Sequence, residues 1–200
     1  GVELSDSQLA LRCNLIWAKD NKIASHSGGD LSHEAGAEII GLLNGKLGGN
    51  GIRFYQGIHY RHLLVIDGGD PHIKCWPPHD HIGKETAELK VTALEKRGEK
   101  TAEILNKLVA DSAAVLAALP LNRAKAAPGE KRPTLIWPWA AGEKPRMKTI
   151  KELTGLDGAV ITAVDLIKGL GIYAGMKVIE VGGATGNSHT NYEGKAKAAL

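Results

Sequence analysis

The sequence predicts an α/β fold class in two parts, an α+β domain over residues 1–145 and a strand–helix–strand segment over residues 146–200. Three observations lead there. Through the first part, short strand-like runs alternate with helical patterns and with turn chemistry. Residues 101–119 carry one helical stripe of Ile104, Leu105, Leu108, Val109, Val115, Leu116 and Leu119. Near residue 145 the texture changes. Two mostly apolar runs, 158–163 and 176–181, then flank a helical pattern, as in a parallel sheet covered on both faces.

Taken in order, residues 9–18 predict a strand, and Lys19-Asp20-Asn21-Lys22 a turn into a second short strand over 23–27. After the Gly28-Gly29-Asp30 loop, Ser32 is an N-cap candidate, with Glu34 in the first turn where a carboxylate complements the helix dipole. Ala35, Ile39, Leu42, Leu43 and Leu47 recur at helical spacing until Gly48-Gly49-Asn50-Gly51 stops them. Residues 52–55 and 60–66 predict antiparallel strands, closed by the turn residues of 67–71. A short strand over 72–76 meets Pro77-Pro78, which must leave any ladder. Residues 86–100 are charge-rich and ambiguous. Pro120 ends the long helix, 123–133 reads as a basic, solvent-exposed connection, 134–139 as a strand and 142–145 as a loop. Helices follow over 149–154 and 165–174, and 191–200 begins one without a C-terminal cap. A two-stranded parallel sheet is not stable by itself, so residues 146–200 read as part of a larger sheet.

Composition sets the outer bounds. Of 200 residues 43% are hydrophobic and 24% charged, ordinary for a globular chain with a core. The net charge of +3 is too small for a general polyanion binder, and 4% aromatics leave little for base stacking, so no nucleic-acid partner is expected. No apolar run approaches the roughly 20 residues of a membrane span, and residues 1–7 carry neither a basic region nor an apolar signal core. No membrane partner is expected, and the chain reads as cytoplasmic. Cys13 and Cys75 form no Cys-x-x-Cys pair and read as free thiols in a reducing compartment.

Three constellations can carry chemistry. Tyr60-Arg61-His62 places a guanidinium fork, suited to phosphate or carboxylate, beside an imidazole; the alternative is an edge strand pointing both at solvent. His79-Asp80-His81 offers two imidazoles and a carboxylate. In an extended stretch the imidazoles converge while Asp80 points away, and without a third ligand nearby a substrate role is preferred to a metal. The run 182–191, Gly-Gly-Ala-Thr-Gly-Asn-Ser-His-Thr-Asn, follows an apolar strand, where ligands of α/β sheets gather; it reads either as an oxyanion site or as a plain loop. The glycines of 169–175 lack dinucleotide spacing, and no nucleophile elbow or P-loop is present. On these residues alone, the chain is an oxyanion-binding α/β protein without visible catalytic machinery.

Several strings resemble one family. Ala10-Leu11-Arg12-Cys13-Asn14-Leu15-Ile16, Arg53-Phe54-Tyr55, Tyr60-Arg61-His62-Leu63-Leu64-Val65, Pro77-Pro78-His79-Asp80, Ile136-Trp137-Pro138-Trp139 and Ala163-Val164-Asp165-Leu166-Ile167-Lys168-Gly169-Leu170-Gly171 resemble the archaeal-type, cofactor-independent phosphoglycerate mutases of the alkaline phosphatase superfamily. So do Gly183-Ala184-Thr185-Gly186 and Thr190-Asn191-Tyr192-Glu193-Gly194-Lys195. The Trp-Pro-Trp form is similar to the bacterial subgroup labelled a proposed homoserine kinase. The resemblance implies an inserted α+β lid over 1–145, then a segment re-entering a phosphatase-like α/β core. It implies an isomerase interconverting 3- and 2-phosphoglycerate through a phosphoserine, with two divalent metal ions, manganese or zinc, in the full-length enzyme. The nucleophile and metal ligands would lie outside this chain, which alone is expected to be inactive, with no catalytic or metal residue assigned in it.

By motif position, substrate-facing roles fall to Arg12, Asn14, Arg61, His62, His79 and Asp80, and more loosely to Lys84 and Thr185. Arg12 and Arg61 would clamp the phosphate or carboxylate, and His79 or His62 would move a proton. The expected partner is phosphoglycerate, with self-association through exposed strand edges as a further expectation. The same scaffold acting on another phosphate ester, a homoserine kinase-like transfer, and a stand-alone binding domain are the alternatives. Where the family commonly has Ser-Ala-Gly-His-Ile-Ser, this chain has Ser27-Gly28-Gly29-Asp30-Leu31-Ser32, and Asp30 is an unfavourable neighbour for an anion.

Overall fold

A computed structural model describes residues 2–29, 31–124, 127 and 129–200. The chain divides into two compact units, Val2–Lys144 and Pro145–Leu200.

In the first unit, β1 (Gln8–Lys19) turns into β2 (Lys22–Ser25) through Asp20 and Asn21, whose φ of 51° and 61° give the left-handed pair a tight hairpin needs. Helix α1 (His33–Leu47) starts where Ser32 accepts a hydrogen bond from the Ala35 N–H. Strands β3 (Ile52–Ile58) and β4 (Arg61–Asp67) form a hairpin whose register slips between Tyr55 and Ile58. At Gly57 a side chain would run into the Arg61 carbonyl, so only glycine fits this irregularity. The 72–76 strand shrinks to β5 (Ile73–Lys74), which pairs with β6 (Thr92–Ala93). Helix α2 (Glu99–Ala117) begins two residues earlier than the stripe predicted, and Pro120 opens a further turn, α3 (Pro120–Arg123), in the first-turn position proline tolerates. Strand β7 (Leu135–Glu143) runs through Gly142, where a loop was expected. The connection before it is exposed at its described residues up to Lys131, as the composition indicates, but ends in a buried Arg132 that donates to the Ala124 carbonyl and the Glu130 carboxylate. Part of that connection, and Asp30, lie outside the described residues.

The main sheet places β1 at its centre, antiparallel to β4 on one side and β7 on the other, with β3 beyond β4. Strand alternation sorts β1. Leu9, Leu11, Cys13 and Leu15 face α1 and α2 and join Ile39, Leu43, Leu105 and Leu116 in the main core. Each fully buried aliphatic side chain contributes roughly 1.5–3 kcal/mol. Two asparagines fasten this layer: Asn44 exchanges hydrogen bonds with the Phe54 backbone and Asn106 with that of Val91. On the other face Ile16 meets Ile23, Leu89 and Trp137 in a second, smaller cluster.

The second unit holds α4 (Ile150–Thr154), β8 (Ala159–Ile161), α5 (Asp165–Tyr173), β9 (Lys177–Ile179) and α6 (Tyr192–Ala199). β8 and β9 are parallel, as the texture of the sequence predicts, with Val160 opposite Val178. They are shorter than the apolar runs and not buried: Ala159 and Lys177 are exposed and their neighbours half-buried. Leu153, Leu156, Leu166 and Leu170 are also exposed.

Candidate functional site

The residues of β1 with even numbers build the site. Arg12 and Asn14 project to the face opposite the main core, and the register sets Trp139 of β7 across from Arg12 and Arg61 of β4 across from Asn14. Asn14 is only 3% exposed, which requires its amide to be paired. It donates to the His26 carbonyl at 3.2 Å and accepts from the Trp139 indole N–H at 3.0 Å. The Arg12 guanidinium lies over the Trp139 ring, 5.1 Å from its centroid, and that of Arg61 over Tyr60 at 5.5 Å. Neither forms an ion pair with a carboxylate among the described residues. Two guanidiniums stacked on rings and left without a counter-charge are poised for an anion.

His79 completes the rim. Residues Pro78–Asp80 form a 3₁₀ turn rather than the extended stretch expected, which sends the two imidazoles to different partners. The His79 ring meets Trp139 edge-on at 5.2 Å and His26 at 6.4 Å, while His81 packs on Trp76 and its Nδ1 meets the Pro77 carbonyl. Asp80 is exposed, its Oδ1 3.7 Å from His79 Nε2. Lys84 is exposed on the following turn, where its carbonyl accepts from the Ile23 N–H.

His62 is placed elsewhere. Standing next to Arg61 in a strand, it points to the opposite face, beneath α1. Its Nδ1 accepts from the Gly57 N–H at 3.2 Å and its Nε2 is buried without a partner. Burial pushes its pKa down to about 4, against a smaller upward pull from the His59 backbone. A neutral imidazole with Nε2 protonated satisfies the Gly57 contact. Thr185 belongs to the second unit, where the 182–191 loop is laced by its own bonds. The Thr185 N–H donates to Thr190 Oγ1, its hydroxyl donates to Asn187, and Asn191 caps α6.

His26 and Trp139 are the site residues that sequence reasoning passed over. Trp139 lies in the Ile136-Trp137-Pro138-Trp139 string, and nothing in the chain order shows that it faces Arg12. Among the described residues no three His, Cys, Asp or Glu side chains are grouped to hold a metal ion, so the donor set here does not fit one. Burial raises the thiols instead, Cys13 to about 12 and Cys75 to about 11, which makes both poor ligands and nucleophiles at neutral pH. A separate cavity of about 400 Å³ lies beside Trp76 and Trp137. Of its polar lining, Asn106 is paired to the Val91 backbone and the Trp76 indole to the Lys90 carbonyl.

Fold and site together define an α/β chain with two ring-stacked guanidiniums on one face of an antiparallel sheet. The family profile of 2,3-bisphosphoglycerate-independent phosphoglycerate mutase matches residues 1–122, and the chain belongs to that family. It is 43% identical over 202 residues to the 2,3-bisphosphoglycerate-independent phosphoglycerate mutase of Methanosarcina acetivorans and 41% identical over 201 residues to that of Methanosarcina barkeri. Both alignments cover 100% of this chain and 49% of the relative, so the chain spans about half the length of the curated relatives it matches. The cofactor-independent phosphoglycerate mutase structure from Thermoplasma acidophilum shares the fold, with a TM-score of 0.64 at 23% identity over 100% of this chain and 52% of that one. No helix among the described residues is long and apolar enough to cross a membrane.

Proposed function

We propose that residues 2–144 form the substrate-binding lid of a metal-dependent, cofactor-independent phosphoglycerate mutase that interconverts 3- and 2-phosphoglycerate through a phosphoserine. The observation that carries this reading is the pair of guanidiniums, Arg12 and Arg61, without a carboxylate partner among the described residues, on the sheet face that also carries Asn14 and the Trp139 ring against which His79 packs. Family membership supports the substrate. The two metal ions and the serine would come from the rest of the enzyme, since the donors of this chain do not fit a metal.

What the chain itself does follows from its chemistry. Arg12 and Arg61 hold the anionic groups of the phosphoglycerate and fix its orientation. His79, half-exposed at the rim, is within reach of solvent and of Asp80, and exchanges a proton with the glycerate oxygen that is not phosphorylated. With the lid closed on the rest of the enzyme, the aromatic rings around it would exclude water, so that transfer outruns hydrolysis. The exposed leucines of the second unit support burial against further structure, either the remaining half of the relatives' length or another copy. Sedimentation over a concentration series separates these.

The test is mutase turnover by the protein carrying this chain at the full length of its relatives, assayed beside homoserine plus ATP. Arg12→Gln and Arg61→Gln are each expected to lower kcat/KM for phosphoglycerate by about a hundredfold, the scale of a lost charged contact. Full activity in both variants, or turnover only with homoserine, overturns the reading.

A further inference from the structure

We propose that Trp139 is a positioning residue of this site, its single indole holding Arg12, Asn14 and His79 in register for the bound anion. This rests on the reading of the Arg12–Arg61 face as the phosphoglycerate-binding surface. Three contacts converge on the ring from different directions. The Nε1–H donates to Asn14 Oδ1 at 3.0 Å, the Arg12 guanidinium lies 5.1 Å from the ring centroid, and the His79 ring meets it at 5.2 Å and 72°.

The polar contact is directional. Asn14 Nδ2 is committed to the His26 carbonyl, so its oxygen faces the indole, which has only a donor to offer. His26 in turn meets both His79 and Tyr60, and Tyr60 lies under Arg61. Trp139 thus ties the Arg12 end of the face to the imidazole that the reading uses for proton transfer.

The backbone is bent at this position. Between Ala10 and Arg12 the pairing with β7 shifts by one residue, and Ala140, directly after Trp139, takes a φ of 51°. A non-glycine residue in the left-handed region is disfavoured, and bulges of this kind re-aim a side chain. Trp137, two residues earlier on the same face, is the internal contrast. It is 4% exposed, packs with Ile16 and Ile23, and gives its indole N–H to the Trp76 carbonyl. One tryptophan serves packing; the other is half-exposed among polar groups.

The experiment is a double-mutant cycle in the full-length protein, reading KM and kcat for 3-phosphoglycerate in Trp139→Leu, Trp139→Phe, Arg12→Gln and the paired variants. Trp139→Leu is expected to raise KM about tenfold, and Trp139→Phe, which keeps a ring but loses the N–H, about threefold, the range of a cation–π contact and a hydrogen bond. In the Arg12→Gln background the Trp139→Leu factor should shrink at least threefold, because the guanidinium it aligns is gone. The His79 Cε1–H resonance should also move when the neighbouring ring is removed. Equal factors in both backgrounds, or a Trp139→Leu variant with unchanged KM beside a weakened Arg12→Gln, overturn the positioning role alone. An Arg12→Gln variant with unchanged KM overturns the binding surface and this proposal with it. Should the leucine variant not fold, Trp139→Phe is paired with Asn14→Ala, the acceptor of the lost N–H, and equal Trp139→Phe factors with and without Asn14→Ala overturn the positioning role.

Discussion

His62 makes the stability of the first unit depend on pH in a defined window. Its imidazole is 5% exposed beneath α1, with Nδ1 already accepting from Gly57, and a proton there would be both desolvated and in conflict with that N–H. The ring titrates at about 4 in the fold against an ordinary 6.5. Above 6.5 it is neutral folded or unfolded and contributes no pH dependence. Between 6.5 and 4 only the unfolded chain takes up the proton, so stability falls by about 1.4 kcal/mol per pH unit, to a total of about 3 kcal/mol at pH 4, and then levels off. The carboxyls of Glu34, Asp70 and Glu130, held low mainly by hydrogen bonds, also lose stabilisation as pH falls, so the comparison must be with His62→Gln, which shares them. All four tryptophans, at 17, 76, 137 and 139, lie within Val2–Lys144, so urea unfolding followed by fluorescence reports this unit. From pH 7 to 4 the stability of the original protein relative to His62→Gln should drop by about 3 kcal/mol. A constant difference, or an NMR titration of His62 centred near 6.5, would refute the argument.

Two further substitutions probe the frame of the site. Ser112 is fully buried and its hydroxyl accepts from the Ile136 N–H while donating to the Val109 carbonyl, so Ser112→Ala leaves a buried strand N–H unpaired; urea midpoints should show a loss of about 1–3 kcal/mol. Ala140→Gly relieves the left-handed backbone at the bulge and should raise stability by about 1 kcal/mol, seen as a rise in Tm of a few degrees; a fall in Tm would mean that the alanine is not strained.

Much of the frame is legible because it follows from period and turn chemistry. The strand through Arg12, the Asp20-Asn21 hairpin, the Ser32 cap and the stripe of α2 are each local, and each is found. The bend at 78–80 is also local, yet the alternation expected for an extended chain misplaced His81 relative to His79. His62 shows the same rule working in the other direction: alternation separates it from Arg61, although adjacency in sequence invites grouping them. His26 and Trp139 could not be placed from order alone, because their meeting depends on β7 returning 125 residues later to donate to Asn14. The short, half-exposed strands of the second unit show why apolar runs alone overstate burial: their covering neighbours are not supplied by this segment.

The central place of β1 has a consequence for how a ligand is met. Arg12 and Asn14 stand on backbone laddered on both sides, so the amides beneath them open to solvent only when the sheet itself comes apart. Arg61, at the start of β4, is likewise paired on both sides, to Asn14 and to Ile58, whereas His79 rides on a single turn outside the sheet and is free to adjust at far lower cost. Hydrogen exchange should therefore find one slow and one fast half within the same site. An incoming anion would be seated first against the fixed half, and closure would be left to the yielding one.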